Sequence, residues 1–165
     1  MKSKVYILTG EKQSGKSTLL EHWVKSNPNV QGFITLDQID GIRYIINLAS
    51  NIIIPYGSKK HDASAIAIGN WYLNKAGFQV GIDIITNYDI KRGGVLIIDE
   101  IGNLEMKGEG YSEALLGLMK KLNSIESEMT MLLVVRSSLV DEVIDYYDIQ
   151  NATVISKEEL NLVSF

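Results

Sequence analysis

Residues 10–17 read Gly-Glu-Lys-Gln-Ser-Gly-Lys-Ser, which satisfies the pattern G-x-x-x-x-G-K-S/T at every fixed position. Those residue types at that spacing suit one chemistry, the cradling of phosphate groups with a divalent cation. Gly10 and Gly15 permit backbone angles and a close approach that a Cβ would block. Lys16 is placed to reach the β and γ phosphates of a nucleoside triphosphate, and the Ser17 hydroxyl to ligate Mg²⁺. Lys12, inside the loop, is either a further phosphate contact or a solvated loop lysine. A second candidate cluster lies at Asp99-Glu100, directly after the apolar run Val95-Leu96-Ile97-Ile98. That is the form of a Walker B segment, in which an acidic residue at a strand end helps hold Mg²⁺ and a second carboxylate polarises water. On this logic Asp99 faces the metal and Glu100 the water.

Arginine is scarce: Arg43, Arg92 and Arg136 are the only three. Arg136 follows the apolar run 131–135 and is expected at the carboxyl edge of the sheet, where ligands bind in open α/β folds. It is therefore a candidate for offsetting charge on a γ-phosphoryl group. Arg43 lies within a predicted hairpin strand, where a solvated sheet face is its expected role. His22 and His61 have no partner at metal-ligand spacing, which argues against a protein-bound zinc. Trp71, Tyr72 and Phe78 are expected in core or hinge packing rather than as a shelf for a base.

The elements around these residues are arranged as the chemistry requires. Residues 4–9 form a short β-branched and aromatic run, read as a buried strand. After the loop, Leu19, Leu20, Trp23 and Val24 share one helical face, and Pro28 ends the helix. Strand, glycine loop and helix aim backbone N–H groups and the helix N-terminus at bound phosphate. Further strands are predicted at 32–36, 41–48 and 51–56, with a polar loop over 57–63 and extended structure over 66–73. A helix is expected from Phe78 to near Lys91-Arg92-Gly93-Gly94. The segment 95–98, apolar on both faces, reads as a central parallel strand. A helix over 111–125, a strand over 131–135, a helix over 139–147 and a strand over 151–155 complete the order. The expected fold class is α/β, a three-layer P-loop architecture with a mostly parallel central sheet and an antiparallel hairpin insert. One domain spanning 1–165 is expected.

Composition narrows the function classes. The 165 residues are 45% hydrophobic, enough for a sizeable core. A net charge of −4 is a poor match to nucleic acid or an anionic membrane. There is no cysteine, which excludes disulfides, thiolate metal sites and cysteine nucleophiles. No window approaches the roughly 20 apolar residues of a membrane span, so a cytoplasmic protein is expected.

Taken with the P-loop, the segments Gly32-Phe33-Ile34-Thr35, Gly41-Ile42-Arg43 and Asp99-Glu100-Ile101-Gly102-Asn103-Leu104-Glu105 resemble the small THEP-type nucleoside-triphosphatases, related to the cancer-related nucleoside-triphosphatase of animals. The resemblance covers residues 4 to 150. It implies a RecA-like P-loop fold and Mg²⁺-dependent hydrolysis of several nucleoside triphosphates to diphosphate and phosphate, with weak base selectivity. By match to the family's two nucleotide-binding segments, the site would be carried by Gly10, Glu11, Lys12, Gln13, Ser14, Gly15, Lys16 and Ser17, with Thr18 next in line, and by Asp99, Glu100, Ile101, Gly102, Asn103 and Leu104. Glu105 would be a supporting carboxylate. Many members carry Pro-Gly where this chain has Lys12-Gln13-Ser14, and Lys or Pro in place of Asn103; neither change removes a phosphate or metal ligand. Lys16, Glu100 and Arg136 are the expected catalytic residues, Ser17 and Asp99 the metal ligands, and free nucleoside triphosphates the partners of a monomer. A small-molecule kinase would bring an arginine-rich lid, which three arginines do not furnish. A nucleotide-dependent switch is compatible with the same residues.

Overall fold

The computed structural model describes residues 3–11, 14–37 and 41–163. Its frame is a nine-stranded sheet flanked by helices on both faces. The strands are β1 (Lys4–Gly10), β2 (Val30–Asp37), β3 (Ile42–Asn47), β4 (Ile52–Ser58), β5 (Ile66–Ile68), β6 (Trp71–Leu73), β7 (Val95–Ile101), β8 (Thr130–Arg136) and β9 (Ala152–Ile155). The helices are α1 (Lys16–Lys25), α2 (Lys75–Thr86), α3 (Asn103–Met106), α4 (Ser112–Ser124) and α5 (Val140–Tyr146).

The spatial order is β5-β6-β4-β3-β2-β7-β8-β1-β9. Strands β2, β7, β8, β1 and β9 pair in parallel, whereas β3 to β6 extend the same sheet in antiparallel fashion. The insert is thus four strands rather than one hairpin. Because the five parallel strands point one way, their carboxyl ends share an edge, and the register places Gly10 opposite Arg136. Strand β8 separates the P-loop strand β1 from the carboxylate strand β7, so three ligand-bearing strand ends stand side by side.

Alternation along the central strands builds two cores. Ile7, Leu96, Ile98, Leu133 and Val135 pack toward α2, α4 and α5. Leu8, Ile97, Leu132 and Val134 face α1 with Leu20 and Trp23. Burying such a side chain contributes about 1.5–3 kcal/mol, so strands apolar on both sides can only be central.

Gly32 sets the spacing of β2 on β7. Its φ is +103°, and a Cβ there would lie 1.9 Å from the Ile97 carbonyl oxygen. Only glycine allows that approach, which brings the end of β2 against the end of β7.

Two elements depart most from the sequence expectation. Helix α2 begins at Lys75 because the Asn74 side chain accepts from the Gly77 N–H at 2.6 Å, capping the helix before Phe78. It ends at Thr86, where the Asn87 amide donates to the Asp83 carbonyl, well short of Gly93. The extended run 66–73 is two short strands that reverse at Gly69, whose φ of +58° the turn requires. No described helix is long and apolar enough to cross a membrane.

Candidate functional site

The P-loop follows β1 and leads into α1, whose N-terminus is set by Gly15 in the left-handed region at φ +83°. Lys16 folds over its own loop: its ammonium donates to the Gly10 carbonyl at 2.9 Å, the Glu11 carbonyl at 2.8 Å and the Ser14 hydroxyl at 3.3 Å. Burial lowers its pKa from the ordinary lysine value; Asp99 opposes that shift and Arg136 adds to it. Two outside contacts brace the loop. Ser137, just beyond β8, donates to the Glu11 carboxylate at 2.7 Å, and Lys157, just beyond β9, donates to the Ser14 carbonyl. Lys12 and Gln13, expected in the site, lie outside the described residues.

Across from the loop, Ser17 Oγ donates to Asp99 Oδ2 at 2.8 Å over a sequence separation of 82 residues. The same oxygen accepts from the Thr35 N–H at 2.8 Å and lies 3.2 Å from Thr35 Oγ1. Asp99 is 1% exposed. Burial pushes its carboxyl up to about 6, with Glu100's charge adding, while the bonds from Thr35 and Ser17 pull the other way. A hydroxyl and a buried carboxylate that converge in this way are oxygen donors of the kind a hard divalent cation takes.

Glu100 sits beside Asp99 in an unusual backbone state. Its φ is +66°, and the β7–β8 register shifts between Ile98 and Ile101. Among the described residues the other non-glycine ones with positive φ are Asn51, Asp148 and Asn151, types that tolerate it; Glu100 is not. The bulge turns the Glu100 side chain out at the carboxyl edge while Ile101 returns to the core, 1% exposed and opposite Val135. Leu104 is partly buried and packs against the core as well. Gly102 opens the short helix α3, and its N–H donates to Glu105 at 2.9 Å. Glu105, 3% exposed, also accepts from the Tyr111 N–H at 3.3 Å and pins the segment behind the site. Burial raises its carboxyl to about 7 against the pull of those N–H groups. Asn103 is exposed at the same edge.

Two residues enter the cluster that the sequence reading did not place there. Thr35 holds Asp99 from the end of β2. Arg43, expected on a solvated face, is instead largely covered, its side chain 14% exposed. Its Nη1 donates to Glu100 Oε2 at 2.7 Å, and its Nε and Nη2 donate to the Asp37 carboxylate at 2.6 and 3.2 Å. The guanidinium carbon lies 4.9 Å from the centre of the Trp71 ring. The antiparallel register that sets Arg43 opposite Asp37 brings it to this edge. Arg136 stands at the end of β8, half-buried and near enough to Lys16 to lower its pKa. Trp71 is half-buried beneath Arg43, and Phe78 is core.

A cleft of about 880 Å³ lies at the opposite, amino-terminal edge, lined by Trp23, Asn27, Asn29, Val95 and Glu128 among others. It contains neither the P-loop nor Asp99 and Glu100. The P-loop, Asp99 and Glu100 lie together at the carboxyl edge instead.

The sequence matches the model of a known family, NTPase, over residues 5–162. The chain belongs to the NTPase (THEP1-type) family. It is accordingly a nucleoside triphosphatase with the P-loop fold. The crystal structure of THEP1 from the hyperthermophile Aquifex aeolicus is similar at a TM-score of 0.70 with 23% identity, over 96% of this chain and 93% of that one. The solution structure of a human cancer-related nucleoside triphosphatase is similar at a TM-score of 0.63 with 22% identity, over 97% and 92% of the two chains. At these identities the likeness is one of fold. No curated protein matches the chain in sequence.

Proposed function

We propose that the protein hydrolyses nucleoside 5′-triphosphates to diphosphate and phosphate, with Mg²⁺ and with little selectivity for the base. The observation that carries this reading is the Ser17–Asp99 contact of 2.8 Å beside an out-turned Glu100. Backbone N–H groups at the start of α1 and the Lys16 ammonium bind the β and γ phosphates, for which Lys16 exchanges its contacts with its own loop. Ser17 and Asp99 would hold Mg²⁺, which supplies charge neutralisation across the two phosphates when bound. Glu100 takes the proton of a water whose oxygen attacks the γ-phosphorus in line. The bond from that phosphorus to the β-bridging oxygen breaks, and its electrons leave with the diphosphate. Lys16 and Arg136 offset the charge that develops. Breadth toward the base is what the resemblance to the THEP-type nucleoside-triphosphatases implies. The net charge of −4 favours free nucleotides over nucleic acid as the substrate.

Phosphate release from ATP, GTP, CTP and UTP with Mg²⁺, with and without nucleoside acceptors, tests the reading. Glu100→Gln is expected to lower kcat by about 10² to 10⁴-fold. Unchanged release in that variant rules out the water-orienting role. Negligible release without an acceptor, together with a phosphorylated nucleoside, makes the protein a kinase instead.

A further inference from the structure

The carboxylate of Glu100 is 36% exposed on a flexible side chain, so its direction is not set by packing. Its Oε2 accepts from Arg43 at 2.7 Å and lies 3.4 Å from the Thr35 hydroxyl. Among the described residues, Oε1 has no hydrogen-bond partner. Thr35 has one hydroxyl proton to divide between Asp99 and Glu100, so the Arg43 bond is the shorter and charge-assisted of the two.

Arg43 is itself fixed from three strands. Asp37 on β2 takes two of its N–H groups, Glu100 on β7 takes a third, and Trp71 on β6 covers the guanidinium plane. Burial opposes its charge, but the Asp37 hydrogen bond and the nearby Glu100 carboxylate more than compensate and raise its pKa. A planar fork held at both ends and on one face has little freedom left to lose.

Resting on the hydrolase reading above, we propose that Arg43 is a positioning residue for Glu100, engaging one carboxylate oxygen so that the other is presented to the attacking water. The antiparallel extension is then part of the catalytic machinery, because β3 carries the arginine and β6 the ring that covers it. Fixing the base within a fraction of an ångström is worth rate without being worth affinity, since a misplacement of about 1 Å can cost 10²-fold.

The test is a kcat and KM series on the full chain with MgATP. Arg43→Ala is expected to lower kcat by about 10- to 100-fold with KM for MgATP within about threefold of the parent. In the Glu100→Gln background the same change is expected to cost less than about threefold, because the group it positions is gone. Arg43→Lys keeps the charge but loses the fork, and an intermediate loss in kcat is expected. If Arg43→Ala does not fold, Arg43→Lys decides: kcat equal to the parent overturns the proposal. So does a rise in kcat, which would make the contact a restraint on Glu100. A full loss retained in the Glu100→Gln background also overturns it, since Arg43 would then act on phosphate directly. Inactive Glu100→Gln with fully active Arg43→Ala refutes this inference alone; active Glu100→Gln refutes the hydrolase mechanism beneath it.

Discussion

The five parallel strands and the four antiparallel ones form a single sheet, yet they supply different things. From the parallel half come the P-loop, Asp99, Glu100 and Arg136 at strand ends on one edge, with Ser17 at the start of α1. The antiparallel half supplies two side chains, Arg43 and Trp71, which approach that edge laterally. On the proposed reading, binding groups are concentrated in the first half, and orientation of the reacting group is drawn in part from the second. Groups that meet at one edge of a sheet can therefore come partly from local motifs and partly from strands that only the register brings near.

The largest expected effect tests the binding half. Lys16→Ala should lower kcat/KM by about 10³-fold, the scale of removing a donor to transition-state charge. It should also abolish the Tm rise given by saturating MgATP, which at 100 times Kd corresponds to about 2.7 kcal/mol. The division of labour would break if Arg43→Ala abolished that Tm rise as well. Thr35→Val, at the seam of the two halves, should lower kcat by about 10-fold and stability by about 1–2 kcal/mol, because Asp99 loses one of its partners. Thermal melts and steady-state rates on the same preparation check both figures, and a change in stability alone would make Thr35 purely structural.

The smallest effect on activity is expected from Glu105→Gln, behind the parallel half. Glu105 has its folded pKa raised from 4.5 to about 7. The folded chain therefore holds this proton over a range in which the unfolded chain has lost it. That contribution is fully present below about pH 4.5 and disappears as pH rises through 7. Parent stability should thus fall relative to Glu105→Gln across that window, by up to about 3 kcal/mol. Asp99 titrates in both proteins and cancels. Melting curves at pH 5, 6, 7 and 8 measure the difference, and a Tm gap that does not vary with pH refutes the assignment.

How much of this was legible beforehand follows the same division. Residues 10–17 and 99–100 announce themselves because a phosphate cradle and a strand-end carboxylate pair are local patterns. The central strands were readable because burial on both faces leaves an unbroken apolar run. Thr35 and Arg43 meet Glu100 across 65 and 57 residues. Their placement depends on register between β2, β3 and β7, and a one-residue slip would turn Arg43 to the other face. Asp37 opposite Arg43 was the available signal, an acidic residue just past one predicted strand and a basic one near the start of the next. Helix α2 was misjudged at its start because its cap, Asn74, lacks the acidic partner that makes such signals conspicuous.

The left-handed backbone of Glu100 sets a limit on how this protein can be improved. A side chain held there costs the fold on the order of 1–3 kcal/mol, which glycine would return. A chain chosen only for thermal resistance would discard the carboxylate at position 100 and keep the P-loop intact. On the proposed mechanism it would be a sturdier nucleotide receptor and no longer a hydrolase, so robustness and turnover would draw on the same residue in opposite directions.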